Sequence, residues 1–297
     1  MSKEIILALG GGGVRGIAHL GVLSWLEEHG YTVKAIAGTS AGGIFGAAYA
    51  AGNPVKTIIQ EVDTFLLKPD FRRESGDQPS LIGTAGLVNA LKPLIGDKNI
   101  EDFPIEFAAT TVSLKTGQEI ILTHGNALEA VLATIAVPGI FPSRGGDEML
   151  VDGGVLDPVP VAVARRFNTS LPVVAVALNR KQGSYSPPHL HLPLAGPIPQ
   201  NLFDRVSRTR MIGALQVFFS SIELGSDSIS EMNLIINKPD VLVLPPLGNI
   251  GILDKVNADD LVEVGYKAME AEEAHLAESL NLLKTFRRIT QYTVARD

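Results

Sequence analysis

The 297-residue chain contains no cysteine. That absence excludes a disulfide framework, thiolate-held metals and a cysteine nucleophile, and it accords with a reducing compartment. Positive charge is scarce too: 25 Lys and Arg stand against 32 Asp and Glu, a net charge of −7. Without a basic excess there is little electrostatic pull toward nucleic acid or toward tight binding of an anionic membrane. No nucleic-acid partner is expected. The N-terminus has no basic lead followed by an apolar stretch and a cleavage site, so no signal peptide is expected and the expected location is cytoplasmic. Long unbroken hydrophobic runs are also missing. Ala35 to Gly52 is uncharged over 18 residues, yet five glycines together with Thr39 and Ser40 interrupt it. A buried strand, turn and helix account for that stretch better than a membrane span.

What is present is an ordinary globular balance, 45% hydrophobic and 19% charged, in a chain long enough for a sizeable core. Ile5–Leu9 is a short, wholly apolar run of the kind buried on both faces of a sheet, and Arg15–His29 carries apolar residues at helical spacing up to Gly30. Val33–Ala37 reads as a second strand, and Pro54 opens a helix through Leu67. Lys68–Gly86 reads as surface loop, and Glu106–Leu114 and Gln118–Thr123 as a hairpin around Lys115-Thr116-Gly117. Ala127–Val137 reads as helix, Met149–Val151 and Val173–Leu178 as buried strands. Beyond a proline-rich connection, Lys181–Gln200, come a long helical stretch at Asn201–Asn237, a strand at Val241–Leu244 and an acid-rich helix at Asn257–Leu283 capped by Asn257. The apolar side of that last helix, Leu261, Val264, Ala268 and Leu276, is expected to pack on the sheet. Strands alternating with helices, without repeat or composition break, predict one α/β domain over 1–297, with a core at about 4–180 and a C-terminal helical and strand part at about 201–283.

Two glycine-rich segments carry chemistry. Gly11-Gly12-Gly13-Val14-Arg15-Gly16 fits G-x-G-x-x-G between a strand and a helix, the setting of a dinucleotide fingerprint. That reading also needs an acid at the end of the second strand, where the sequence has Ala37-Gly38-Thr39. A glycine run at a helix N-terminus equally supplies unobstructed N–H donors for an oxyanion. Arg15, in the first turn of that helix, is unfavourable to the dipole, so it is either paired with a buried carboxylate, aimed at substrate, or merely structural. Gly38-Thr39-Ser40-Ala41-Gly42 fits the G-x-S-x-G elbow, in which a tight strand-to-helix turn exposes a serine. In the plainest alternative Ser40 is only a helix cap.

A base for Ser40 can be sought among six histidines. His19 and His29 precede it, His124, His189, His191 and His275 follow, and none lies in a short turn after a clear C-terminal strand. His124 is the histidine candidate, and His19 reads as a helix-packing residue. Asp152, ending the apolar run Met149-Leu150-Val151 and followed by Gly153-Gly154, is better placed, although an Asp-Gly pair is equally the start of an ordinary turn. Burial beside a pocket would raise its basicity.

Together Gly11–Gly16, Gly38–Gly42 and Asp152–Gly154, in that order and strand context, resemble the patatin-like phospholipase family. Ala136–Pro142, Gly248–Asp254 and Gly265-Tyr266 extend the resemblance over roughly residues 4–275, with Lys181–Gln200 and the last twenty residues outside it. The resemblance implies an α/β fold, a three-layer α/β/α sandwich around a mostly parallel sheet. It implies a serine lipid acyl hydrolase of phospholipase A, lysophospholipase or carboxylesterase type, with Ser40 as nucleophile and Asp152 as base in a dyad without histidine. Gly11, Gly12 and Gly13 would form the oxyanion hole, supported by Arg15, Gly16, Gly38, Gly42, Gly153 and Gly154, with no metal or organic cofactor. Lipid or a small ester is the expected substrate, with transient contact at a membrane surface and the oligomeric state left open. Met211–Leu215 with Val217–Phe219 could line an acyl channel or be plain core, and Lys181–Gln200 could act as a lid. A regulatory or scaffolding protein of the same fold with weak esterase activity, or a dinucleotide-binding oxidoreductase, are the alternatives.

Overall fold

The computed structural model describes residues 3–73, 78–178, 210–248, 250–252 and 254–293. Lys181–Gln200, His189 and His191 therefore lie outside the described residues, as do the side chains of Met211–Leu215. The apolar runs fold into one seven-stranded sheet: six strands lie in the order β4-β3-β2-β1-β6-β7, and the seventh, β5, pairs with β3. Its strands are β1 (Glu4–Leu9), β2 (Thr32–Gly38), β3 (Glu106–Ser113), β4 (Gln118–Leu122), β5 (Leu150–Asp152), β6 (Val173–Val176) and β7 (Val241–Val243). β1 pairs in parallel with β2 and β6, β2 with β3, and β6 with β7. β4 and β5 both run antiparallel to β3. Apolar content marks Met149–Val151 as a strand but says nothing about its direction, and the direction matters here.

Alternation along β1 builds two cores. Ile5, Leu7 and Leu9 face a layer made of α1 (Ala18–Glu28), α2 (Ala41–Ala50), α3 (Val55–Leu67), α4 (Ala85–Ile95) and α5 (Ala127–Thr134). Ile6 and Ala8 face α6 (Val161–Phe167) and the long α7 (Arg210–Asn237). A side chain from one strand position thus reaches only one layer, because successive residues point to opposite faces. The result is the expected three-layer α/β/α arrangement around a mostly parallel sheet. Among the described residues no helix is long and apolar enough to cross a membrane.

Several expectations need correction. Arg15–His29 begins as a tight 3₁₀ turn at Gly13–Ile17 before α1 starts. α4 falls where the sequence reading placed nothing after the loop, and Pro93 sits in its last turn. The loop before it is not purely surface: Ile82 is buried with Ile140, and Phe71 packs against them. The acid-rich helix breaks at Glu272 into α8 (Ala258–Ala271) and α9 (Glu273–Ser279), followed by α10 (Leu282–Thr293). α8 packs on α1 rather than directly on the sheet. The two helix backbones touch at glycines: a Cβ on Gly21 would meet the Val262 carbonyl oxygen at 1.9 Å, and one on Gly265 the Ala18 carbonyl oxygen at 1.9 Å.

Candidate active site

β2 and β5 meet end to end along one edge of β3. β2 pairs with β3 as far as Gly38 opposite Ala109, and β5, running the other way, pairs with it down to Asp152 opposite Thr111. The residues leaving the two strand ends, Ser40 and Asp152, are thereby brought face to face. Ser40 sits between β2 and α2 with φ 53 and ψ −120, a left-handed conformation unusual for a residue with a Cβ. Although it occupies the N-cap position of α2, its side chain makes no capping hydrogen bond. Its hydroxyl instead lies beside the Asp152 carboxylate and favours that group's ionised form.

The strained turn is held from several sides. The Ser40 N–H donates to Thr134 Oγ1 at 2.9 Å, and that hydroxyl donates to the Thr110 carbonyl at 2.6 Å. Thr39 Oγ1 donates to the Asp157 carbonyl at 2.9 Å and lies 2.6 Å from Thr110 Oγ1. Gly42 is required for space, since a Cβ there would lie 2.0 Å from the Leu9 carbonyl oxygen. Asp152 is buried, which pushes its carboxyl up to about 6, against the opposing pull of the Ser40 hydroxyl and the Gly154 N–H. That N–H donates to Asp152 Oδ1 at 2.7 Å and fixes the carboxylate's rotation.

Facing the pair is the glycine loop after β1. Gly13 has φ +58, and a Cβ there would lie 2.1 Å from the Ile252 carbonyl oxygen, so only glycine fits. The Gly11 N–H already donates to the Pro158 carbonyl at 2.9 Å, which takes it out of the set of free donors. Among the described residues the N–H groups of Gly12, Gly13 and Ala41 have no backbone acceptor. Gly12, Gly13, Ser40, Ala41, Asp152 and Gly154 all border one cavity of about 270 Å³. It runs along α2 past Ile44, Phe45 and Ala48, and its far walls are Ile58, Val62 and Phe65 of α3 and Leu87, Ala90, Leu91 and Leu94 of α4. On its polar side stand Arg15 and, from α7, Glu223, Ser226 and Asp227. Among the described residues no histidine borders it, and no group of three or more His, Cys, Asp or Glu side chains is placed to hold a metal.

A sequence profile described as patatin-like phospholipase matches residues 7–165. The chain belongs to the patatin-like phospholipase family. An NTE family protein of Mycobacterium tuberculosis is 34% identical over 185 residues, 60% of this chain and 50% of that protein. Another, of Mycobacterium bovis, is 30% identical over 275 residues, 91% of this chain and 46% of that protein. A protein named lysophospholipase NTE1, of Coccidioides immitis, is 29% identical over 276 residues, 89% of this chain and 17% of that protein. The chain thus spans half or less of the length of these relatives. VipD from Legionella pneumophila, a solved structure, superposes with a TM-score of 0.48 at 14% identity over 92% of this chain and 66% of that one.

Among the described residues of this patatin-like chain, no histidine reaches the cavity at Ser40. His19 is buried in the α1 layer, bonded to the Gly10 carbonyl at 2.8 Å, and its burial pushes its pKa down to about 4. His124 is exposed beside Thr123, and His275 is exposed beside Glu272. Arg15 takes the paired option: its guanidinium meets Glu223 at 3.1 Å, with both side chains buried. Gly16 packs on Ala41, Gly38 on the Gly42 backbone and Gly153 on Thr110. Val217 and Phe218 are 68% and 51% exposed and border no part of the cavity, so they are neither acyl channel nor core. The ribose-binding acid of a dinucleotide site has no counterpart, because the end of β2 leads directly into Ser40. Sequence reading missed Thr110, Thr134 and Glu223, whose roles depend on contacts between distant segments, and it missed the α4 wall.

Proposed function

We propose that the chain is a serine acyl hydrolase of lipid esters, with Ser40 as nucleophile and Asp152 as its base. The Ser40 hydroxyl beside a buried carboxylate on one cavity, with no histidine bordering it among the described residues, carries this reading. Ser40 Oγ attacks the ester carbonyl while Asp152 takes its proton; the carbonyl oxygen becomes an oxyanion facing the N–H groups of Gly12 and Gly13. Collapse of this intermediate expels the alcohol, which leaves with the proton from Asp152. Water then attacks the acyl-enzyme, giving its proton to Asp152, and Asp152 passes that proton to the Ser40 oxygen as the carboxylic acid leaves. A carboxyl held near 6 suits both halves of that cycle, since it is ionised at neutral pH yet basic enough to accept a proton.

The substrate class follows from the walls. From Ser40 to Ala48 along α2 is about 12 Å at 1.5 Å per residue. The chain therefore takes medium-length acyl groups inside, leaving the alcohol portion toward Glu223, Ser226 and Asp227. The relative named a lysophospholipase supports a single-chain lipid as the natural form. With net charge −7, contact with an anionic lipid surface would be transient. Hydrolysis of p-nitrophenyl esters from acetate to palmitate tests the reading. The expected kcat/KM peaks near octanoate or decanoate, and a flat profile or a preference for acetate would rule out the cavity as acyl site.

A further inference from the structure

We propose that Glu223 is a positioning residue that aims the Gly13 N–H at the oxyanion, acting through Arg15; the inference rests on the hydrolase reading above. Arg15 is only 4% exposed and stands at the N-terminal end of a helical segment, where the backbone dipole disfavours a cation. A buried cation in such a place is costly unless it is paired and hydrogen-bonded. Arg15 is both. Its Nη2 donates to Glu223 Oε1 at 3.1 Å, and its Nε donates to the Gly12 carbonyl at 3.1 Å. The Arg15 backbone N–H donates to the same carbonyl at 3.2 Å.

The consequence for the loop follows from peptide geometry. In a trans peptide the C=O of one residue and the N–H of the next point in opposite directions. Clamping the Gly12 carbonyl on Arg15 therefore turns the Gly13 N–H the other way. Gly12 and Gly13 border the same cavity as Ser40 and Asp152. Two adjacent glycines set no orientation of their own, so it must be imposed by neighbours. Ile252, whose carbonyl accepts the Val14 N–H at 3.0 Å, holds one side of the loop, and Arg15 holds the other. A cationic donor on the Gly12 carbonyl also polarises that peptide and strengthens its N–H as a donor. Glu223 has a second effect. It borders the cavity, and an unpaired carboxylate there would repel a developing oxyanion; bonded to Arg15 it does not.

The test compares wild type, Glu223→Gln and Glu223→Ala on p-nitrophenyl octanoate, with active sites counted by a fluorophosphonate. A long-chain trifluoromethyl ketone, whose adduct with serine carries an oxyanion, serves as transition-state mimic. The expected result for Glu223→Ala is kcat per titrated site lowered about tenfold, KM within twofold, and the ketone bound about tenfold more weakly. Glu223→Gln keeps an acceptor oxygen for Arg15 and falls between wild type and Ala. A residue that merely holds α7 in place would lower melting temperature and titrated fraction while leaving kcat per site and ketone affinity unchanged, and that outcome overturns the proposal. If the Ala variant does not fold, the Gln variant carries the same comparison. A wild type that neither hydrolyses ester nor labels overturns the hydrolase reading and this inference with it; an active wild type matched by its Glu223 variants overturns this inference alone.

Discussion

The pH dependence of kcat/KM reads the free enzyme's essential base, and Asp152 fixes where it should turn. Burial raises its carboxyl to about 6, the Ser40 hydroxyl and Gly154 N–H pulling in the opposite direction without prevailing. Only the ionised form accepts the Ser40 proton, so activity rises with pH through about 6. Between pH 7 and pH 5 the ionised fraction of such a group falls from roughly nine-tenths to one-tenth, and kcat/KM should drop about tenfold. The assay is initial-rate hydrolysis of p-nitrophenyl octanoate from pH 4.5 to 8.5 at two temperatures, with circular dichroism to verify folding at each end. Temperature separates the bases, because an imidazole's midpoint falls on warming and a carboxyl's hardly moves. Asp157 titrates close by, pushed up to about 7 by burial and the neighbouring Glu119 charge, so Asp157→Asn is run in parallel. Its side chain faces Asn233 rather than Ser40, and the midpoint should not move. Rates unchanged down to pH 5, or a midpoint that shifts with temperature as imidazole does, would refute the assignment of Asp152 as base.

Two further perturbations test the surroundings. Asp157 holds its proton more tightly in the folded chain than at its ordinary 3.8, so the stability it contributes is complete below that value and is lost as pH rises through about 7. Asp157→Asn, always neutral, should therefore gain in stability relative to wild type by roughly 1–3 kcal/mol between pH 5 and pH 8 in thermal melts; a difference between the two that does not grow over that range would show the charge to be well satisfied. Ala90 borders the cavity on α4, and Ala90→Phe should fill part of its about 270 Å³. We expect kcat/KM for the decanoate ester to fall about tenfold or more while the acetate ester changes less than twofold, a few lost methylene contacts being sufficient for that factor; equal losses on both esters would place the acyl chain elsewhere.

The parts of the site visible in the sequence are those dictated by local backbone geometry. A glycine run after an apolar strand, a Gly-flanked serine and an Asp-Gly-Gly strand end each need particular residue types at fixed spacing, so Gly13, Ser40, Gly42 and Asp152 could be read directly. What sequence could not carry was pairing between distant segments. Nothing near Arg15 announces Glu223, which is 208 residues away. Thr110 and Thr134 look like unremarkable strand and helix residues until they are seen to hold the Ser40 N–H and the turn before it. α4 has Leu87, Ala90, Leu91 and Leu94 at helical spacing, but Gly86 and Pro93 disguise the period. The antiparallel sense of β5, which brings Asp152 to Ser40, is likewise absent from a three-residue apolar run. Gly265 was noticeable in the sequence, whereas its purpose, letting α8 lie on α1, needed both helices in place.

The central claim is that Ser40 and Asp152 act as a dyad without histidine. Its most direct test is the steady-state hydrolysis of p-nitrophenyl octanoate by wild type, Ser40→Ala, Asp152→Asn and His124→Ala, each checked for folding by circular dichroism and melting temperature. The account predicts loss of at least about 10³ in kcat for both dyad variants, in keeping with what single members of such catalytic units contribute, and no more than a twofold change for His124→Ala. Hydrolysis by Asp152→Asn at near wild-type rates, or its loss in His124→Ala, would contradict the account.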